Sequence, residues 1–192
     1  MKIYLTGILL SVSIVVSISA MEHSNNTILL NNFVSIGTFS AGDNRDGSVF
    51  LGDSLSLDWI PNGKYGLSYG IETGLLGGAE QDTIIFGIPI IFRFGWHYDF
   101  FKLENIDIFI LGKAGWGFGI WGNNLDNDST SGGIVGGIHI GGSFAVNRLI
   151  RIYSEIGYTY YGLARNSNYP EYPLGYGSGK AYASLGLSFK LL

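Results

Sequence analysis

No cysteine occurs in the 192 residues. Its absence excludes a disulfide scaffold, thiol catalysis, a thiolate metal site and lipidation at an N-terminal cysteine. Charge is also scarce, at 14% of the chain, with 11 Lys and Arg against 15 Asp and Glu. The net charge of −4 leaves no basic footprint for nucleic acid. What is abundant is unusual for a soluble domain: 46% of the residues are hydrophobic, and there are 30 glycines, 12 tyrosines and 12 phenylalanines. Glycine normally supplies about 7%. The apolar and aromatic content is too high for disorder, so the question is what covers so much apolar surface.

Long apolar runs are missing too, except at the start. Lys2 gives a positive n-region, and Ile8 to Ile18 is an apolar stretch shorter than a helical span of about 20 residues. Small residues follow, with Ser17-Ile18-Ser19 or Ile18-Ser19-Ala20 as a cleavage triplet. Residues 1–20 are therefore expected to be a secretory signal peptide, and residues 21–192 the mature domain. Any membrane crossing by the mature chain has to be made with strands.

One period runs through the mature chain, and it is two. Tyr65, Leu67, Tyr69, Ile71, Thr73 and Leu75 alternate with Gly66, Ser68, Gly70, Glu72 and Gly74. Ile84, Phe86, Ile88, Ile90, Phe92, Phe94, Trp96 and Tyr98 alternate with Gly87, Pro89, Ile91, Arg93, Gly95, His97 and Asp99. A helix would scatter both sets around its circumference. Less regular alternation covers Leu51–Ile60, Asp107–Trp121, Ile134–Phe144, Ile150–Tyr161 and Ala181–Leu191, and Thr27–Ser40 has ambiguous parity. The expectation is about eight strands, longer than the globular mode of about 5–6 residues.

The connections alternate in length. Pro61 to Lys64, Lys102 to Ile106 and Ala145 to Arg148 are short, and Gly77 to Asp82 is brief. Ala41 to Ser48, Gly122 to Ser131 and Gly162 to Ser178 are longer and rich in Gly, Asn, Asp and Ser, as solvated loops should be. Short turns at one end and long loops at the other are the pattern of an outer-membrane barrel. Over residues 27–192 the chain resembles the small eight-stranded outer-membrane proteins, the group holding the OmpA transmembrane domain and OmpX. The resemblance implies an all-β, closed, antiparallel up-and-down transmembrane barrel in the outer membrane of a two-membrane bacterium. It also implies outer-membrane lipid and the barrel-assembly machinery as partners, and a monomer. Members of that group usually end on an aromatic residue in the outward phase. Here Leu185, Leu187, Phe189 and Leu191 hold the phase and Leu192 falls outside it.

Size decides which face meets lipid. The bulky set from Ile84 to Tyr98 would overfill an eight-stranded lumen, which is just wide enough for side chains. It must face out, and the inward parity then holds Gly66, Gly70, Gly74, Gly87, Gly95, Gly115, Gly117, Gly119, Gly137 and Gly141. Interfacial aromatic girdles are expected at Trp59, Tyr65, Trp96, Tyr98, Phe144 and Phe189, and at Phe50, Trp121, Tyr160, Tyr161 and Tyr182. A soluble lipocalin-like barrel would reverse the two faces.

The inward charges are the constellation with chemical content. Glu72, Arg93, Lys113, His139 and Glu155 lie about six to eight residues from the short-turn ends and should share a mid-barrel layer, with a second layer of Asp58, His97, Asp99, Arg151 and Lys190 nearer the turns. Such groups must pair in a low-dielectric lumen. A polar plug and a gated pore or proton path both use them, and the narrow lumen favours the plug.

Enzymatic signatures are thin. Among small outer-membrane barrels are lipid A deacylases, which carry a His-x-Ser on an outward strand, and palmitoyltransferases. His139 is followed by Ile140 and Gly141 and faces in. His97 and Asp99 form an inward pair with no serine in phase on that strand. Two inward histidines fall short of a zinc set. Gly175 to Lys180 lacks the first glycine of a phosphate loop, which would fall at Leu174, and Ala181 replaces the metal-binding hydroxyl. No catalytic residue, metal or cofactor is expected. The loop Gly162 to Ser178 carries Tyr169, Tyr172 and Tyr176, with Pro170 and Pro173 stiffening it, a composition of adaptable binding loops. The expected function is a structural or loop-mediated surface-binding protein, with an extracellular protein or host ligand as partner. A lipid-modifying enzyme and a small pore are the alternatives.

Overall fold

A computed structural model of the chain describes residues 27–39, 48–61, 66–80, 83–98, 105–123, 129–163 and 176–191. Residues 1–20, expected to be a signal peptide, and Tyr65, Asp99, Tyr169, Tyr172 and Leu192 lie outside them. The described residues form eight strands: β1 (Thr27–Phe39), β2 (Ser48–Ile60), β3 (Gly66–Glu80), β4 (Thr83–Tyr98), β5 (Ile106–Asn123), β6 (Ser129–Ala145), β7 (Ile150–Leu163) and β8 (Tyr176–Lys190). Each pairs antiparallel with the next, and β8 returns to β1 from Leu29↔Lys190 to Gly37↔Tyr182, closing the barrel in chain order. Closure removes every sheet edge.

The strands outrun the sequence-based boundaries where ladder bonds continue past the apolar run. Trp121 pairs with Ser129, so β5 and β6 extend into the stretch expected to be a loop. Leu163 pairs with Tyr176, which makes Tyr176 the first residue of β8 rather than part of a loop. At the other end the β6–β7 hairpin is pinned by Asn147. Its Oδ1 accepts the backbone N–H groups of Leu149 and Ile150, each at 2.8 Å.

Side-chain parity is as the alternation requires. On β4, Phe92, Phe94 and Trp96 are more than half exposed on the outer wall, while Ile91 and Arg93 are 1% exposed inside. The inward glycines make room for long neighbours. A Cβ at Gly70 would collide with the carboxylate of Asp58, and one at Gly141 with the ring of Phe109. Two residues expected in the aromatic girdles face inward instead: Tyr161 and Tyr182 are buried. On β7 both parities carry aromatic residues, so composition there does not mark the face.

The lumen is filled in layers. Toward the long connections Leu76, Ile91, Val135, Tyr161 and Tyr182 form an apolar cluster. Toward the short turns Phe33, Phe109, Leu111 and Tyr153 form a second. Between and below these layers lie the buried charges.

Candidate functional site

Arg93 organises the central layer. It is the inward residue of β4 just past mid-strand, and its guanidinium meets carboxylates from three other strands. Nη1 donates to Glu72 Oε2 on β3 at 2.6 Å. Nε faces Asp58 Oδ1 on β2 at 3.0 Å, an ion pair without hydrogen-bond alignment. Nη2 donates to the Tyr153 hydroxyl at 2.7 Å and lies 3.5 Å from Glu155 Oε2. Lys113 on β5 bridges the remaining space, with Nζ 2.9 Å from Glu72 Oε2 and in contact with Glu155 Oε1.

Three carboxylates thus face two cations, and neutral donors serve the surplus. The Tyr153 hydroxyl donates to Glu155 Oε2. His139 Nδ1 lies 3.3 Å from Glu155 Oε1 without hydrogen-bond alignment, and its Nε2 is 2.6 Å from Thr159 Oγ1. Asn31 Nδ2 donates to Asp58 Oδ2 at 2.7 Å and to Ser56 Oγ at 2.9 Å. The cations also lie against rings, with Lys113 Nζ 5.6 Å from the Phe33 centroid and 5.7 Å from that of Tyr182. Such contacts strengthen when the charge is desolvated. All five residues expected in the mid-barrel layer are therefore brought together. Asp58, expected in the lower layer, joins them because Gly70 opposite it leaves the lumen open toward Arg93.

Arg151 does not join. Its Nε donates to Ser143 Oγ at 2.8 Å, and Nη2 reaches the Asn105 carbonyl at 3.5 Å near the short-turn rim. Lys190, at the end of β8, is exposed.

Below the aromatic cluster lies a chain of three groups that sequence reading missed. His97 Nδ1 is 2.8 Å from Asp107 Oδ2, and His97 Nε2 is 3.0 Å from Ser68 Oγ. The partners come from the flanking strands β5 and β3, so no spacing along β4 announces them. Only the strand register does: Ser68 pairs with Gly95, two residues from His97, and Phe109 pairs with His97, two residues from Asp107. A Ser-His-Asp chain is the arrangement of an acyl-transfer nucleophile. Here it is sealed, because Ser68 is 2% exposed and His97 and Asp107 are 4% exposed. The adjoining cavity, bounded by His97, Asp107, Asn31 and Arg93, measures about 10 Å³. That is room for one water-sized sphere and not for an acyl chain. A hydrolase also needs free donors for an oxyanion, whereas strand N–H groups are engaged in the ladder. Among the described residues there is no group of His, Asp and Glu that could hold a metal ion.

No family model matches the sequence, and no curated protein is similar to it in sequence. Solved structures are similar in fold. Neisserial surface protein A superposes with a TM-score of 0.65 at 14% identity, over 87% of this chain and 97% of that one. A major outer membrane protein from Thermus thermophilus gives 0.52 at 10% identity, over 88% and 100%. The likeness is one of fold: a closed eight-stranded antiparallel barrel similar to the small outer-membrane barrels.

Proposed function

We propose that the protein is an integral outer-membrane β-barrel, non-enzymatic, with a plugged polar lumen and a structural or surface-binding role exercised through its long connections. One observation carries the reading: the barrel is inverted relative to a soluble one. Its outer wall exposes Phe86, Phe92, Phe94, Ile110, Phe118, Ile138 and Ile156, while Glu72, Arg93, Lys113 and Glu155 are enclosed. A soluble monomer would leave that apolar wall in water, far beyond the few hundred Å² such proteins tolerate. Lipid is the solvent that suits it, and a barrel is the strand structure that satisfies all its backbone groups there.

Export by a leader cleaved near residue 20, insertion by the barrel-assembly machinery and recognition of an extracellular protein or host ligand belong to the same reading. The outward phase of Leu185, Leu187 and Phe189 supports the insertion step. The test is membrane fractionation with gel migration before and after heating. The expected result is recovery with the outer membrane and a heat-dependent shift in mobility. Recovery as a soluble monomer overturns the reading.

A lipid-modifying enzyme is the second reading, because Ser68, His97 and Asp107 have the hydrogen-bond order it needs. Their enclosure by the barrel weighs against it.

A further inference from the structure

The outer wall carries one charged side chain at mid-strand among the described residues. Asp53 on β2 points outward and is exposed. It lies one residue from the centre of Ser48–Ile60. Asn32 lies one residue from the centre of Thr27–Phe39, and Thr73 at the centre of Gly66–Glu80, both on the same outer face. The register brings them together, with Val34 opposite Asp53, and Leu55 opposite both Asn32 and Thr73. Asn32 Nδ2 donates to Asp53 Oδ1 at 3.3 Å. It is the hydrogen-bond partner Asp53 has among the described residues. Elsewhere on the outer wall the mid-strand positions hold Ile90 and Phe92 on β4 and Ile138 on β6, all exposed apolar side chains.

In a hydrocarbon surround a carboxylate held by one long hydrogen bond is costly, and an intramembrane charge of this kind normally faces a partner. We propose that the β1–β2 face is the interface of a homodimer, in place of the monomer expected from the sequence. This inference rests on the membrane reading above. The geometry of a two-fold axis selects the occupant. A C2 axis along the membrane normal that passes between β1 and β2 places β1 of each copy opposite β2 of the other, because the interface is isologous. Asn32, which carries amide donors, then faces Asp53 of the second copy, and Asp53 faces the second Asn32. The two carboxylates sit diagonally across the axis rather than against each other. Donor meets acceptor twice, at one depth, with Val34 and Leu55 providing apolar contact around them. A transmembrane partner bearing a cation would answer Asp53 but leave Asn32 with only its contacts inside the chain, to Asp53 and to the Ser54 carbonyl.

The absence of native cysteine makes the test direct. Val34→Cys and Ile138→Cys are placed singly in the full-length protein, on the proposed interface and on the opposite wall, and treated in native membranes with a bis-maleimide about 10 Å long, the spacing of facing sheets. A linker is needed because the axis sets the two Val34 residues diagonally, beyond the roughly 7 Å that a disulfide spans. The expected result is a cross-linked dimer from Val34→Cys and none from Ile138→Cys. Adding Asp53→Leu to Val34→Cys removes both symmetric contacts and should lower the cross-linked fraction about tenfold, the effect of losing about 1.4 kcal/mol shared between the two. Heat-dependent mobility of every variant reports that the barrel has folded. A folded, membrane-embedded Val34→Cys chain that stays monomeric, or a yield unchanged by Asp53→Leu, overturns the dimer while leaving the membrane reading intact. Recovery in the soluble fraction removes the membrane reading itself and the dimer with it.

Discussion

Lys113 on β5 reaches past β4 to bring its ammonium 2.9 Å from Glu72 on β3. The contact is possible because β4 contributes only Arg93 at that depth, and Arg93 binds the same Glu72 oxygen from its own side at 2.6 Å. One carboxylate oxygen therefore ties three neighbouring strands together across the lumen.

Removing Arg93 should expose how strongly this layer is coupled. Arg93→Met leaves Asp58, Glu72 and Glu155 facing Lys113 alone, and breaking a buried pair costs about 3–5 kcal/mol. Urea unfolding in lipid vesicles measures it. Neutralising Asp58 and Glu72 together with Arg93 should recover most of the loss, since a fully apolar or neutral replacement is often as stable as the paired one. A loss below about 1 kcal/mol for Arg93→Met alone contradicts the role assigned to it.

The layered lumen should not conduct. Apolar clusters lie on both sides of the charges, Leu76 to Tyr182 above and Phe33 to Tyr153 below, and an eight-stranded lumen is just wide enough for side chains to fill. Purified protein in planar bilayers is expected to show no steady current. Large, stable single-channel steps would mean that the plug opens.

Ser68 should be chemically silent despite its hydrogen bond to His97. A fluorophosphonate probe labels serines that are both activated and reachable, and at 2% exposure Ser68 is not reachable. Folded protein in detergent is expected to remain unlabelled, like Ser68→Ala. Labelling of the natural protein that disappears in Ser68→Ala would establish the enzyme reading in its place.

Gly66 opens β3 with φ at 106°, a conformation side chains rarely adopt. Nothing lies within 4 Å of where its Cβ would be, so crowding plays no part. Gly66→Ala should therefore cost about 1–3 kcal/mol through backbone strain alone. Gly77→Ala, where the added methyl meets ring atoms of Phe86 only at 3.7 Å or beyond and no positive φ applies, should cost less. Equal losses in the two variants would show that φ is not the cause.

The architecture and most of the central layer are legible along the chain because a period of two separates faces residue by residue. Counting from the turns places Glu72, Arg93, Lys113, His139 and Glu155 at one depth without any knowledge of pairing. What stays hidden depends on register or on ambiguous faces. Asp107 and Ser68 find His97 across strand boundaries, and Asp58 reaches Arg93 because of a glycine on the neighbouring strand. Tyr161 and Tyr182 read as interfacial aromatics but pack inside, where their size helps to fill the lumen. Asp53 shows the opposite failure. Its parity, opposite to that of buried Asp58, places it on the outer wall despite its charge, a position the sequence reading did not remark.

The Tyr182 hydroxyl donates to Ser35 Oγ at 2.5 Å across 147 positions of sequence. This bond lies in the β1–β8 seam, so the first strand has no permanent neighbour on one side until the last has arrived. Closure of the barrel must then wait until the last strand has been made. A chain truncated before β8 would present two unpaired edges, on β1 and β7, and become a template for mispairing with other chains rather than a smaller barrel.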